Sequence, residues 1–332
     1  MKVLVTGGAG YIGSVTTELL LDSGHNVVVF DNLERGHREA VDKRAGFIKG
    51  DLREKGCIFR AMKKVKPDAV MHFAAYALVA ESMAKPEAYF RNNVVGGVNL
   101  VEAMWANGVK NIVFSSTCAT YGQPKRVPIT EAESQKPENP YGETKLIVEK
   151  ILSWYQQLHG IRAVFLRYFN ACGATGKFGE DHDPETHIIP LVLQVALGQR
   201  DKITICGDDY ATPDGTCVRD YIHIVDLAQA HILALTSSAA GAFNLGTGKG
   251  NSVQQVIEAA RAITGHPIPA ELGPRRPGDP AKLVASATKA HKILKWEPKF
   301  TTLESIVQSA WNWHKSHPDG YGNRSSPNMA IP

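Results

Sequence analysis

Short, wholly apolar runs punctuate the chain and are separated by longer stretches of mixed polarity. Val3-Leu4-Val5, Val27-Val28-Val29-Phe30 and Ile112-Val113-Phe114 are such runs. They suit strands of a parallel sheet, which are buried on both faces and need no polar alternation. Between the first two, Ser14 to Ser23 reads as a helix, so the chain opens strand, glycine turn, helix, strand. Strands and helices alternate to about Phe169, which predicts an α/β fold with a doubly wound parallel sheet and helices on both faces. After Asn170 the pattern becomes irregular. The Gly-, Asp- and Pro-rich run Gly173 to Pro184 predicts a loop, and Pro190 to Leu197 a helix. Ala228 to His231 is expected on a helix returning to the first unit, and Phe243 to Gly246 on a strand that rejoins its sheet.

The glycines between the first strand and helix bring in chemistry. Gly7, Gly10 and Gly13 are spaced G-x-x-G-x-x-G, within the strand–turn–helix context of a Rossmann-type dinucleotide fingerprint. Gly7 is expected to allow the tight turn, Gly10 to let the backbone approach a pyrophosphate, and Gly13 to let helix and strand pack. The phosphates would then sit on the helix N-terminus, where N–H groups point outward. A bare glycine turn is the plainer alternative. Asp31 closes the second strand, where a carboxylate accepts from adenosine ribose hydroxyls and repels a 2′-phosphate. NAD is therefore expected rather than NADP, although Arg35 and Arg38 follow closely and guanidinium groups bind 2′-phosphates.

Further along, Tyr141 and Lys145 stand four apart, which on a helix sets them on one face. There an ammonium lowers a phenol's pKa and makes Tyr141 a usable base. By itself Tyr-x-x-x-Lys also fits a solvated helical face. The run Ile112 to Phe114 ends in Ser115-Ser116-Thr117, so hydroxyls stand where a buried strand's C-terminal edge would meet a site. Thr117 is expected to bond a substrate hydroxyl and share its proton with Tyr141. Ser115 and Ser116 are expected only to cap the turn.

With Gly7-Gly10-Gly13, Thr117 and Tyr141/Lys145 together, the chain resembles the extended short-chain dehydrogenase/reductase family. Longer strings narrow this to its nucleotide-sugar 4-epimerases. They include Asn139-Pro140-Tyr141-Gly142-Glu143-Thr144-Lys145, Leu166-Arg167-Tyr168-Phe169-Asn170, Val218-Arg219-Asp220-Tyr221 and Arg275-Arg276-Pro277-Gly278-Asp279. The resemblance runs from Met1 to about Trp313. It implies NAD-dependent interconversion of UDP-galactose and UDP-glucose, with C4 oxidised transiently and hydride returned to its opposite face. Tyr141, Lys145 and Thr117 would be catalytic. Cofactor contacts are implied for Gly7, Gly10, Tyr11, Ile12, Gly13, Asp31, Asn32, Asp51, Leu52, Phe73, Ala74, Ala75, Asn92, Tyr141, Lys145 and Tyr168. Substrate contacts are implied for Thr117, Tyr141, Asn170, His187, Ile188, Arg219, Arg276 and Asp279. Arg219 and Arg276 would clamp the pyrophosphate, since guanidinium meets phosphate in a fixed fork.

The same resemblance implies a Rossmann domain over 1–169, with returning segments from about 219 to 247. A smaller C-terminal lobe over 170–315 would bind the UDP-sugar, and 316–332 would be a flexible tail. A homodimer is implied, packed through the helices near Glu87 to Asn107 and Tyr141 to His159. Departures from the family pattern stand at two places. His72-Phe73-Ala74-Ala75-Tyr76-Ala77 lacks a lysine expected near the pyrophosphate, and Leu283 is intermediate in size where bulk governs acceptance of an N-acetyl group. Epimerisation of a UDP-N-acetylhexosamine, UDP-uronic acid or UDP-pentose is therefore the alternative. A 4,6-dehydratase would need Asp-Glu after Thr117, where Cys118-Ala119 stand. A catalytically silent NAD sensor would tend to lack Tyr141 or Lys145.

Composition agrees without adding detail. Hydrophobic content of 43%, charged content of 21% and a net charge of +4 are ordinary for a globular chain and give no argument for nucleic acid. Five cysteines without a C-x-x-C suggest neither disulfides nor zinc, so no metal is expected and the reducing cytoplasm is the expected compartment. No apolar stretch approaches the roughly 20 residues needed to span a bilayer, and no targeting segment is expected.

Overall fold

The computed structural model describes residues 1–276 and 279–322. Its first half runs β1 (Lys2–Thr6), α1 (Tyr11–Asp22), β2 (Asn26–Asp31), β3 (Gly46–Lys49), α2 (Lys55–Val65), β4 (Ala69–His72), α3 (Val79–Ala84), α4 (Pro86–Tyr89), α5 (Gly96–Ala106), β5 (Asn111–Ser115), α6 (Pro140–His159) and β6 (Arg162–Tyr168). The chain continues through β7 (Asn170–Cys172), α7 (Ile188–Ala196), β8 (Ile203–Cys206), β9 (Val218–His223), α8 (Ile224–Thr236), β10 (Gly241–Leu245), β11 (Gly250–Ser252), α9 (Val253–Thr264), β12 (Ala270–Gly273), β13 (Lys282–Leu283) and α10 (Leu303–Ser316).

Seven strands form one sheet in the order β10-β6-β5-β4-β1-β2-β3, with every neighbouring pair parallel. Strand order reverses between β1 and β4, so the ends of these strands open the crevice in which doubly wound folds bind ligands. Because side chains alternate across a strand, each apolar run feeds two cores. Val3, Val5, Val27, Val29 and Val113 pack with α1 and α8 on one face. Leu4, Phe30, Val70, Ile112 and Phe114 pack with α2, α5 and α6 on the other. A third core joins α7, α9 and α10 around Val192, Ile257 and Val307. Beside it, β9 pairs with β7, β11 and β13 in a small sheet, and β8 pairs with β12.

Several sequence expectations need correction. α1 begins at Tyr11 rather than Ser14, because Gly10 already stands at the helix N-cap. The helical run near Glu87 to Asn107 is interrupted by a π-turn over Phe90–Val95. Sheet membership changes between Tyr168 and Asn170, but β9 belongs to the small sheet, so the return to the main sheet starts with α8 rather than near residue 219. The first residues of the expected flexible tail are fixed. Tyr321 N–H donates to Asp181 at 2.8 Å, and Gln199 donates to the Pro318 carbonyl at 2.7 Å. The remaining tail, 323–332, lies outside the described residues, as do Pro277 and Gly278.

Candidate active site

Local sequence explains how Tyr141 is placed. Asn139 caps α6, its Oδ1 accepting from the Gly142 N–H at 2.9 Å. Pro140 takes the first helical position, where no backbone donor is required. Tyr141 therefore lies in the first turn, and Lys145 one turn further along. Gly142 lets this turn close onto the 3-10 turn Cys118–Tyr121, since a Cβ there would stand 2.6 Å from the Ala119 carbonyl oxygen. Thr117 caps that 3-10 turn, accepting from Ala119 N–H at 3.2 Å, and its hydroxyl holds down the pKa of the Tyr141 phenol. Thr117, Tyr141 and Lys145 are 6%, 9% and 3% exposed, so the three predicted catalytic residues meet in a buried group.

Burial sets their electrostatics. It raises the Tyr141 phenol well above its ordinary value, the Tyr168 hydroxyl adds to this, and the bond with Thr117 works against it. Burial lowers Lys145 to about 7, against the pull of the Glu149 carboxylate. The Lys145 ammonium lies 6.0 Å from the Tyr141 ring centre and donates to the Ser115 carbonyl at 2.7 Å. In the chain by itself burial raises the phenol, opposite to the lowering expected from Lys145. Cys118 is pushed up to about 12 by burial, so its thiol stays protonated beside the site.

Sequence reasoning missed the network under these residues. Glu149 accepts from Arg167 Nε at 2.9 Å and from Ser116, and Arg167 donates to Tyr121 at 2.9 Å. Tyr121 in turn donates to Asn244 at 2.7 Å. Glu149 and Arg167 are 3% and 5% exposed, so their charges depend on each other. The pair locks α6 to β6, and Ser116 holds the residue beside Thr117, more than the capping expected of it. Asn93 was missed as well. Within the π-turn it accepts from Tyr76 N–H at 2.8 Å and donates to Thr144 at 3.0 Å, tying that segment to α6. Glu149 stands four residues after Lys145 in the sequence, but nothing there marks it as buried or paired.

The dinucleotide positions form a cradle that fits NAD. Gly7 has φ +76°, and a Cβ there would stand 2.4 Å from the Ala74 nitrogen; one on Gly13 would stand 2.2 Å from the Gly7 carbonyl. These contacts bring β1, α1 and the Phe73-Ala74-Ala75 turn together. In front of Gly10 a Cβ would meet only the Gly7 carbonyl, at 3.5 Å, and no side chain caps the helix that begins with Tyr11, Ile12 and Gly13. Its leading N–H groups suit a pyrophosphate. Asp31 accepts from Ala9 and Leu33 N–H at 3.0 and 2.9 Å, which fixes its carboxylate at the end of β2. Asn32 donates to Asp51 at 3.1 Å beside it, with Leu52 buried next in line. Arg35 pairs with Glu81 at 2.6 Å and Arg38 lies over Phe47, so both guanidinium groups have partners within the chain. Asn92 donates to Asn93, and the Tyr11 hydroxyl donates to the Gly173 carbonyl at 2.6 Å. The Tyr168 hydroxyl bonds Ser115 near Lys145.

The predicted substrate residues converge from the lobe. Arg219 and Leu283 stand opposite each other on β9 and β13. Arg219 pairs with Asp279, and its charge reaches Cys118, next to Thr117. Arg276 is exposed, and its charge acts on Cys217 together with those of Arg219 and Asp279. Leu283 and Cys118 both pack against the small cluster of Tyr121, Ile129, Phe169 and Ala285, and Asn170 opens β7 beside β9. His187 is different. It stands before Ile188 at the start of α7, with Nδ1 2.9 Å from Glu180 and 3.1 Å from Glu185. These residues form a cluster with His182 that cysteine spacing gave no reason to expect.

Known proteins place this geometry in a family. Residues 3–246 match the NAD dependent epimerase/dehydratase family. A UDP-glucose 4-epimerase of Halalkalibacterium halodurans is 54% identical over 98% of this chain and 99% of its own. A crystal structure of a UDP-glucose 4-epimerase superposes with a TM-score of 0.94 at 51% identity, covering 97% of this chain and 99% of that one. The Bifidobacterium longum UDP-glucose 4-epimerase, solved in complex with NAD+ and UDP, superposes with a TM-score of 0.92 at 40% identity, covering 96% and 100%. The cradle on β1 and the buried Tyr141–Lys145 pair are thus those of a chain that belongs to the NAD dependent epimerase/dehydratase family.

Proposed function

We propose that this chain is an NAD-dependent UDP-glucose 4-epimerase, interconverting UDP-galactose and UDP-glucose. The observation that carries the reading is the meeting of Thr117, Tyr141 and Lys145 in a buried group, with Arg219 close enough for its charge to reach Cys118. When bound, NAD supplies a reversible hydride acceptor for the sugar's C4. Tyr141 takes the O4 proton and later returns it, with Thr117 bridging to the sugar hydroxyl. Lys145 in its protonated form contributes positive charge beside the phenolate and would bond the nicotinamide ribose. Burial excludes water from the exchanged proton, and Glu149 with Arg167 keeps α6 in register beneath it.

The main-sheet unit, with α8 and β10, binds the cofactor through the residues of the cradle. The lobe binds the UDP portion. Arg219 and Arg276 clamp the pyrophosphate, Asp279 accepts from the uridine ribose, and Asn170, His187 and Ile188 lie along the same substrate. Anchoring the distal diphosphate leaves the hexose room to present either face, with remote binding energy used for positioning. Leu283 sets the space beside the sugar.

Two copies are proposed to pair through the outer faces of the π-turn, α5 and α6. Phe90, Val95 and Trp105 are exposed there, as are Trp154 and Leu158. Among the described residues no helix is long and apolar enough to cross a membrane, and the five cysteines are free thiols, which suits the cytoplasm.

The test is conversion of UDP-galactose by purified protein, read as UDP-glucose through a coupled dehydrogenase with NAD supplied. Formation of UDP-glucose is expected. No conversion by folded protein would overturn the assignment, and UDP-N-acetylgalactosamine and UDP-glucuronic acid would be tried next.

A further inference from the structure

The loop between β7 and α7 holds two carboxylates and two imidazoles, of which the epimerase reading uses His187 alone, as a substrate contact. They follow a repeated spacing, Glu180-x-His182 and Glu185-x-His187. One ligand atom from each lies within 4.8 Å of the others. His187 Nδ1 stands 2.9 Å from Glu180 and 3.1 Å from Glu185; His182 Nδ1 stands 3.3 Å and 3.7 Å from the same two carboxylates. Ligands at about 2.0–2.1 Å in a tetrahedron lie roughly 3.4 Å apart, which is the middle of that range.

Burial argues for a ligand. Both glutamate side chains are only 5% exposed, and their ion pairs among the described residues are with these imidazoles alone. His182 Nδ1 is shut off from solvent yet makes no hydrogen bond, although it faces both carboxylates. Buried polar atoms rarely stay unsatisfied without a ligand, a water or a functional reason.

We propose that Glu180, His182, Glu185 and His187 bind one divalent transition-metal ion, Zn²⁺ by preference, in a closed structural site. Two imidazole nitrogens and two carboxylates in a four-donor cluster suit zinc. Calcium takes six to eight oxygens, and magnesium prefers an octahedral shell that keeps several waters. With four protein ligands no open position is left for catalysis. The site would instead pin the loop. The Tyr11 ring packs edge-on to His182 at 6.2 Å, so the ion would brace the first turn of α1. Tyr321 N–H bonds Asp181 within the same loop, so the segment around Tyr321 is held there as well.

The experiment uses full-length protein without a histidine tag, stripped with a chelator and titrated with Zn²⁺ by calorimetry. A parallel Co²⁺ titration is followed by visible absorption. One equivalent of Zn²⁺ per chain is expected, with the intense cobalt band of a tetrahedral site. Glu185→Gln and His182→Ala should each weaken binding at least about tenfold, the scale on which even outer-shell changes act, and abolish the band. Glu185→Gln keeps the side chain's size in case His182→Ala fails to fold, and circular dichroism checks both. Substoichiometric zinc in the wild type would overturn the proposal, as would unchanged binding in a folded Glu185→Gln protein. Neither readout depends on epimerase activity, so the two assignments fail separately.

Discussion

A lysine ammonium taken out of water resists its charge, and Lys145 shows the consequence. Burial lowers it from 10.5 to about 7, with Glu149 opposing the change. Between these values the unfolded chain holds the proton and the folded chain does not, so this group's contribution to stability rises with pH. It is present above about 10.5 and lost as pH falls through about 7. Compared with Lys145→Met in the cofactor-free state, the wild type should therefore gain in melting temperature as pH rises from about 7 toward 10. Parallel curves would show that Lys145 is not titrating in this way. Tyr141, Lys145 and Thr117 were legible as candidates because they are marked by local spacing and a strand end, and the structure brings them together. Glu149 was not, because its partner Arg167 lies on a strand that only the fold brings beneath α6. Tyr141's burial was equally invisible, and it reversed the direction expected for the phenol.

Elements were legible where their ends carry chemistry. Asn139-Pro140 announces α6, and the three glycines announce the turn into α1. The π-turn over Phe90–Val95 has no comparable signal. Its use appears only in the bonds of Asn93 to Tyr76 and Thr144, which sequence distance hides. β9 was misplaced for a related reason, since a fully buried strand reads alike in the large sheet and the small one. The outer faces of α5 and α6 bear on assembly. Trp105, Trp154 and Leu158 are 55%, 61% and 68% exposed, an apolar surface that a second copy would cover. Light scattering coupled to gel filtration should give a dimer for the wild type and a monomer for Leu158→Glu. A wild-type monomer at micromolar concentration would contradict pairing through this face.

At the scale of the whole molecule, the main sheet follows from alternating strands and helices, because parallel strands need crossovers and crossovers have one hand. The lobe does not follow, since its small sheets join segments as distant as β7, β9 and β13. The proposed site lies where these two regions meet, with proton chemistry assigned to α6 and the β5 edge, and diphosphate binding to β9 and the segment before β13. At its centre Tyr141 is proposed to exchange the proton of the reacting hydroxyl. The direct measurement is turnover of UDP-galactose by Tyr141→Phe beside the wild type, with NAD binding and circular dichroism confirming an intact fold. Loss of the general base predicts a fall in kcat of about 10²–10⁴-fold with the cofactor still bound. A variant that keeps wild-type turnover would contradict the assignment of Tyr141 as the base.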